Sequence, residues 1–219
     1  MRKSFDNQLQ EIKLHMIKMA AKVEEIIGLS IKSLEEKDEE LAKKAIKLDP
    51  DINEAERETQ RMCINLLLMQ QPVYADNLRN ISAAFKILTD LERMGDQARD
   101  ISVLNLELIK RSGVWNIELI SKMAEEAAKM VSLSILCYTN KDVELAKTVI
   151  ASDDVVDKLF YEVKDQLVDY IVSSKDKEIG INALDTLMIA KYFERIGDHA
   201  QNIAEWVIYA VTGRQKEEW

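Results

Sequence analysis

The sequence predicts an all-α protein built from two tandem, pseudo-symmetric three-helix bundles packed side by side, with six long helices in all. The 219 residues include only six glycines and two prolines, and abundant Leu, Ile, Ala, Lys and Glu favour long helices over strands. A ten-residue segment that begins at Glu92 also recurs half a chain later at Glu194, with identical residues at six of the ten positions. A repeat of this period indicates two copies of one supersecondary unit, so a site built by the segment should occur twice.

Apolar spacing and turn residues predict the helices of the first half. Apolar residues recur every three or four positions from Phe5 to Lys37, which indicates the first helix. Asp38 is placed to cap a second helix. Within it, Asp49-Pro50 either starts a new helix or kinks a continuous one. The helical pattern resumes at Ile52 and reaches about Met69.

A turn over residues 71–75 leads to a third helix from about Asp76 to Arg111. Ser112-Gly113 then closes the first half, because Gly is common just past a helix end. We therefore expect two units, residues 1–112 and 113–219. The second half repeats the plan, with helices at about Asn116 to Tyr138, Asp142 to Val172 and Lys175 to Val211.

Composition restricts the partners and the compartment. The net charge of −9 opposes binding to nucleic acid and suits cations or basic protein surfaces. We expect no signal peptide and no direct membrane insertion, because charged residues interrupt the N-terminal segment and no stretch of about 20 apolar residues exists. Cys63 and Cys137 are expected to be small buried residues of a protein in a reducing compartment, the cytoplasm.

The repeated segment places acidic side chains in a row along one helix edge. With Glu92 at 0° on a helical wheel, Asp96 and Asp100 fall at about 40° and 80°. This row borders the apolar stripe of the third helix. In the second copy, the equivalent positions are occupied by Glu194, Asp198 and Asn202.

A bound cation is the simplest reason for such a row, since like charges four residues apart destabilise a helix. The donors are all oxygens, which favours magnesium, manganese, iron or calcium. Asp153 and Asp157 could complete the second site from the preceding helix, as Asp49 and Asn53 could complete the first. The alternative is a solvated helix face. The recurrence of the spacing favours the metal interpretation, whereas Gly95 and Gly197 indicate close helix packing.

Enzyme classes find less support in the sequence. A carboxylate-bridged di-iron oxidase needs Glu-x-x-His pairs on two helices, and neither His15 nor His199 completes such a pair. His199 is better explained as a surface or packing residue than as a phosphotransfer residue. No G-x-x-x-x-G-K phosphate loop is present. We therefore expect a protein that is not an enzyme.

The motif Glu-Arg-Ile/Met-Gly-Asp-x-Ala-x-Asp/Asn-Ile, present twice, resembles the PhoU family of phosphate signalling proteins. Supporting segments include Phe5 to Met19, Gln71-Pro72-Val73 and Ile203-Ala204-Glu205. The resemblance covers the chain. It implies two similar three-helix bundles with multinuclear metal sites on their surface.

The metal-site candidates follow from the resemblance position by position. The ions implied are divalent or ferric, namely iron, manganese, magnesium or zinc. Asn53 stands where the family usually has Asp, so the first site is expected to be the weaker one. The candidate ligands are Glu92, Asp96, Asp100 and Asp49 in the first half, and Glu194, Asp198, Asn202, Asp153 and Asp157 in the second.

The resemblance also implies a function. Family members act as negative regulators of the phosphate regulon and connect the ATPase subunit of a phosphate ABC transporter to a membrane sensor histidine kinase. A homodimer is expected, in the cytoplasm or held by partners at the inner face of the membrane. The alternatives are an accessory regulator of another phosphate transporter and a carboxylate-bridged di-metal enzyme.

Overall fold

A computed structural model describes residues 2–69, 74–111, 117–174 and 176–214, and within these ranges the chain forms six α-helices and no strand. The predicted fold class is confirmed. The predicted turn at 71–75 and the boundary at Ser112-Gly113 lie largely or wholly outside the described residues, and the division into 1–112 and 113–219 stays a prediction. The helices are α1 Arg2–Glu36, α2 Glu39–Met69, α3 Ala75–Lys110, α4 Ile117–Asn140, α5 Val143–Ser173 and α6 Lys177–Thr212.

The joints between α1 and α2 and between α4 and α5 are two copies of one structure. Lys37 and Lys141 adopt left-handed backbone conformations, with φ of 54° and 55°. The next residue in each copy, Asp38 or Asp142, donates its backbone N–H to the carbonyl five residues earlier, at 3.1 and 3.0 Å. This is the Schellman motif of a helix C-terminus. The same two aspartates cap the following helices through their side chains, as predicted for Asp38.

Pro50 lies inside a continuous α2. The sequence left open a new helix at Pro50 or a kink in a continuous helix, and the structure has one helix from Glu39 to Met69. Because Pro has no N–H, the carbonyl of Ile46 loses its usual helical donor at this point. Asp49 and Asn53, which lie on either side of Pro50, are therefore part of the same helix as Ala45 and Ile46.

Each half is a bundle in which all three helices contact one another, and the two bundles meet mainly through α3 and α6. One apolar core runs through both halves. Cys63 and Cys137 are buried free thiols within it, as predicted. Since α3 and α6 carry the repeated segments, the two segments lie at the middle of the molecule.

None of the helices in the described ranges combines the length and apolarity needed to cross a membrane.

Candidate metal centres and the interface between the bundles

The glycines of the repeated segments let a neighbouring helix approach closely, as predicted. A Cβ atom on Gly95 would lie 3.0 Å from the Cδ1 atom of Ile52 in α2. A Cβ atom on Gly197 would lie 3.4 Å from Asp153 Oδ1 and 3.5 Å from Val156 Cγ1 in α5. The close approach brings the acidic side chains of α2 and α3, and those of α5 and α6, to facing positions.

The first acidic cluster consists of Asp49 and Glu56 on α2 with Glu92 and Asp96 on α3. The side chain of Asp49 is only 8% exposed, and the carboxylate of Asp96 lies beside it. Burial is the largest cause that raises the pKa values of Asp49, Glu56 and Glu92. The neighbouring carboxylate of Asp96 raises each of them further.

Arg99 supplies positive charge to the first acidic cluster. Its Nη1 atom lies 3.5 Å from Asp49 Oδ2 and 3.2 Å from Asp96 Oδ1, and its Nη2 atom lies 2.8 Å from Asp100 Oδ1. Asn53 donates its amide N–H to Asp49 Oδ2 at 3.4 Å. The sequence analysis did not identify Arg99, although its position three residues after Asp96 is a signal for an ion pair on a helix.

The second acidic cluster consists of Asp153 and Asp157 on α5 with Glu194 and Asp198 on α6. Burial, followed by the charges of Asp198 and Asp157, raises the pKa of Asp153 to about 6. Burial and then Glu194 raise the pKa of Asp198. Lys191 lies 2.5 Å from Glu194 Oε1. Its ammonium group also lies 5.3 Å from the ring centre of Phe160.

The two clusters differ in the cation that faces them. The residue equivalent to Arg99 is Gln201, which donates weakly to the backbone carbonyl of Ile150 at 3.5 Å. The bidentate, delocalised charge of an arginine is thus replaced by a neutral amide. A metal ion at the first acidic cluster would have to compete with Arg99. At the second acidic cluster, the lysine that faces the carboxylates is Lys191, which pairs with Glu194.

Unpaired oxygens in these clusters are donors of the kind that a hard cation needs. Asp49 Oδ1, Asn53 Oδ1 and Glu194 Oε2 are buried without a hydrogen-bond partner, and an unsatisfied buried acceptor costs about 1 to 3 kcal/mol. Among the described residues, however, no three Asp, Glu, His or Cys side chains stand in an arrangement that could hold a metal ion. The clusters therefore offer suitable donors, and the side chains would have to draw together around an ion.

Asp100 and Asn202, two further predicted ligands, make their polar contacts elsewhere. Asp100 pairs with Arg99 and also hydrogen-bonds to Tyr192 on α6, whose pKa is raised by burial and then by this carboxylate. Asn202 donates to Asp90 Oδ1 on α3 at 3.4 Å. Both residues thus connect the two bundles, and Asp100 is linked to Asp49 on α2 through Arg99. Their assignment as ligands stays a prediction.

His199 lies between the bundles, in keeping with the predicted packing role. Its Nδ1 atom is 2.8 Å from Asp90 Oδ1, and its Nε2 atom is 3.4 Å from Gln97 Nε2. With Nδ1–H donating to the carboxylate, Nε2 accepts from the Gln97 amide. Gln97 and His199 occupy the same position of the two repeated segments, 102 residues apart, so the pseudo-twofold axis passes between them.

The residues of these sites that the sequence analysis did not identify include Glu56, Asp90, Arg99, Lys191 and Tyr192. Glu56 lies seven residues after Asp49, which places it on the same helix face, and this spacing could have identified it. Asp90 carries no such local signal, because its partners belong to the other bundle.

Comparison with known proteins gives the family. The family model described as "PhoU domain" matches residues 16–104 and again 120–207. A relative from Clostridium acetobutylicum, named phosphate-specific transport system accessory protein PhoU homolog, is 35% identical over 98% of this chain and 97% of its own length. A relative of the same name from Aquifex aeolicus is 36% identical over 86% of this chain and 84% of its own.

Solved structures agree in fold. The crystal structure of PhoU from Pseudomonas aeruginosa matches with a TM-score of 0.91 and 30% identity, covering 96% of this chain and 100% of that one. The phosphate transport system regulatory protein PhoU from Streptococcus pneumoniae matches with a TM-score of 0.88, 24% identity, and coverage of 96% and 98%. With two matched domains and relatives above 30% identity along nearly the whole chain, this protein belongs to the PhoU family.

Proposed function

We propose that this protein is a metal-binding regulator of phosphate uptake that acts by binding partner proteins and catalyses no reaction. One observation carries the metal part of the proposal: two acidic clusters on equivalent helix pairs hold buried oxygens without hydrogen-bond partners. The phosphate part is supported by the names of the relatives, which are accessory proteins of phosphate-specific transport systems.

The residues proposed to hold metal are the members of the two acidic clusters, with Asn53 at the first. Iron, manganese, magnesium or zinc would suit these oxygen donors to different degrees, the hard ions best. A bound ion would neutralise carboxylates whose pKa values burial already raises. It would also tie α2 to α3 and α5 to α6, and so fix the shape of two acidic surfaces.

The proposed partners are the ATPase subunit of a phosphate ABC transporter and a membrane sensor histidine kinase, whose signalling the protein would restrain. The net charge of −9 favours basic partner surfaces. The protein would act in the cytoplasm, as a homodimer, and reach the inner face of the membrane through its partners. An accessory role with another phosphate transporter is the second candidate, since the names do not specify the transporter.

The chemistry of the remaining reactive groups supports a role other than catalysis. Burial raises the pKa of the Cys63 thiol to about 11 and that of Cys137 to about 12, so neither is an activated nucleophile. His199 is engaged by Asp90 and Gln97 between the bundles. The enzyme alternative, a carboxylate-bridged di-metal enzyme, would need a substrate pocket at an acidic cluster in which a redox or hydrolytic reaction takes place.

Partner binding tests the proposal directly. The variant Asp96→Ala with Asp198→Ala removes one carboxylate from each acidic cluster. We expect it to lose retention of the transporter ATPase and of the kinase in pull-down assays while its helical circular dichroism stays near that of the wild type.

The matched control is Glu58→Ala with Asp165→Ala, which removes two exposed carboxylates from α2 and α5 and should retain both partners. Equal retention by the two double variants would contradict a role for the clusters in partner binding. Failure of the wild-type protein to retain either partner would remove the proposed pathway.

A further inference from the structure

A cleft of about 420 Å³ opens where α3 meets α6. Its walls include Arg93, Gln97, Arg195, Asp198, His199 and Asn202. The cleft lies on the pseudo-twofold axis, because Gln97 and His199 are equivalent positions of the repeated segments. The metal proposal gives no role to its two arginines, which are part of the repeated segment in both copies.

We propose that this cleft binds an oxyanion of the phosphate class, either inorganic phosphate or the phosphate group of a small metabolite. Arg93 and Arg195 reach it from opposite bundles, and both side chains are exposed. Among the described residues, neither guanidinium makes an ion pair within 4 Å. Two guanidinium groups with free N–H donors on one cleft match the planar, bidentate recognition of a phosphate.

The cleft also offers acceptors, which favour a protonated oxyanion. Gln97 is only 9% exposed, and its Oε1 atom is buried with no hydrogen-bond partner among the described residues. Asp198, on α6, also lines the cleft. Hydrogen phosphate retains a proton near neutral pH and can donate it to such an oxygen, whereas sulfate has none to donate. The mixture of donors and acceptors therefore selects phosphate over sulfate.

The cleft and the second acidic cluster share Asp198. A cation held by that cluster would offset the negative charge of Asp198 and so favour an anion in the cleft, and by linkage the anion would favour the cation equally. A role of this cleft in phosphate regulation rests on the proposed function, because the bound anion would let the regulator sense the transported ion. Binding of the anion itself does not depend on the partner proteins.

Calorimetric titration of the full-length protein, as purified and again after chelator treatment, tests the inference. The probes are inorganic phosphate, sulfate and glucose 6-phosphate. The test variant is Arg93→Gln with Arg195→Gln, and the matched control is Arg57→Gln with Arg61→Gln, which removes the same charge from an exposed face of α2. We expect phosphate or the sugar phosphate to bind the wild type and the control, and to bind the test variant at least about tenfold more weakly.

The two ligand sources and the opposing results are separable. Tighter binding of inorganic phosphate supports the free ion, and tighter binding of glucose 6-phosphate supports a metabolite. The inference is overturned if neither ligand binds, if sulfate binds as well as phosphate, or if the test variant binds as the control does. A variant that loses phosphate binding but still retains both partners would show that the cleft is not needed for partner binding. A protein that binds phosphate but retains neither partner would contradict the proposed function and leave the inference about the cleft intact.

Discussion

At the scale of single residues, the two acidic clusters are distinguished by what compensates their charge. Arg99 contacts three carboxylates, of which Asp49 is nearly buried. The equivalent Gln201 brings no charge to the second acidic cluster. Removal of one member of a buried ion pair leaves an uncompensated charge, which is costly to stability. Arg99 thus stabilises the fold, and its charge would compete with a metal ion at the same place.

The substitution Arg99→Gln gives the first repeat the neutral amide that the second repeat has at Gln201. In chelator-treated protein we expect the free energy of unfolding to fall by about 1 to 2 kcal/mol, a value reduced because Arg99 is a third exposed. The affinity of the first acidic cluster for Mn²⁺ should rise about tenfold as the competing charge leaves. Urea unfolding and manganese titration measure the two effects. Arg57→Gln, at an exposed ion pair, is the control, and equal behaviour of both variants would contradict the role given to Arg99.

The raised pKa of Asp153, about 6, makes stability depend on pH. Because the pKa of Asp153 in the folded state lies above the ordinary aspartate value of 3.8, the folded protein binds this proton more tightly than the unfolded chain does. The free energy of unfolding should therefore rise as the pH falls from about 7 toward 4. Thermal unfolding of chelator-treated protein at pH values of about 5.0 and 7.5, below and above the pKa of Asp153, measures this change in stability.

In the Asp153→Asn variant, the difference between the two pH values should shrink, and the variant should be more stable than the wild type at the higher pH. Asp154→Asn changes an exposed neighbour and should leave the pH dependence in place. A wild-type protein that loses stability on acidification over this interval, with no change in Asp153→Asn, would contradict the assignment.

Local spacing predicted some of these residues and could not predict others. The rows of Glu92 with Asp96 and of Glu194 with Asp198 follow from the four-residue period of one helix. Asp100 lies only about 80° from Glu92 on the wheel, yet it faces the other bundle, because that angle coincides with the contact between α3 and α6. A helical wheel gives the direction in which a side chain points from its own helix. Which neighbouring helix lies in that direction is decided by the packing of the helices.

At the scale of secondary-structure elements, the joints at Lys37 and Lys141 were only half predicted. The capping aspartates have a clear signal in the sequence. The left-handed conformation of the lysines before them does not, because Gly or Asn usually occupies that place. The Lys-Asp pair occurs at both joints, at residues 37–38 and 141–142. Likewise, Pro50 could not be placed from sequence, since an Asp-Pro pair serves both a helix start and a helix interior.

Replacing Lys141→Gly should stabilise the protein. A left-handed φ of 55° strains any residue with a Cβ atom, so we expect the free energy of unfolding to rise by about 0.5 to 1 kcal/mol. Chemical denaturation measures the change. The same substitution at Lys147, inside α5, should lower it by about 1 kcal/mol. Destabilisation at both positions would contradict the helix-end assignment.

Replacing Gly95→Ala should destabilise the contact between α2 and α3. The added methyl group would lie 3.0 Å from Ile52 Cδ1, and Ile52 is fully buried. We expect a net loss of about 1 to 2 kcal/mol, since overpacking outweighs the gain in helix propensity. Gly28→Ala, where nothing lies within 4 Å, should instead gain up to about 1 kcal/mol. A gain at both glycines in thermal unfolding would show that the helices are less tightly packed than described here.

At the scale of the whole molecule, the pseudo-twofold axis organises the polar contacts between the bundles. Asn202 of α6 contacts Asp90 of α3, and Asp100 of α3 contacts Tyr192 of α6. The two contacts are equivalent, because Asp90 and Tyr192 occupy the same position of the two halves, as do Asp100 and Asn202. Gln97 meets its own equivalent, His199, on the axis. The repeat in the sequence predicted two similar bundles, but their mutual orientation depends on long-range contacts that no local pattern records.

The same arrangement sets the charge of the molecular surface. The two acidic clusters lie on equivalent helix pairs on either side of the α3–α6 contact, and the cleft with Arg93 and Arg195 lies at that contact. Cations at the clusters and an anion in the cleft would therefore change the charge of neighbouring surfaces. In a chain of net charge −9, such changes would alter which partner surfaces can dock.

The most direct test of metal binding by the two acidic clusters is the metal content of the protein purified without chelator, measured by elemental mass spectrometry. We expect a near-stoichiometric divalent or ferric metal in the wild type. The single variants Asp96→Ala and Asp198→Ala should each lose the metal bound at one acidic cluster, and the double variant should lose nearly all of the bound metal. A wild-type protein without metal, or a double variant with undiminished metal content, would contradict the proposal that these carboxylates are metal ligands.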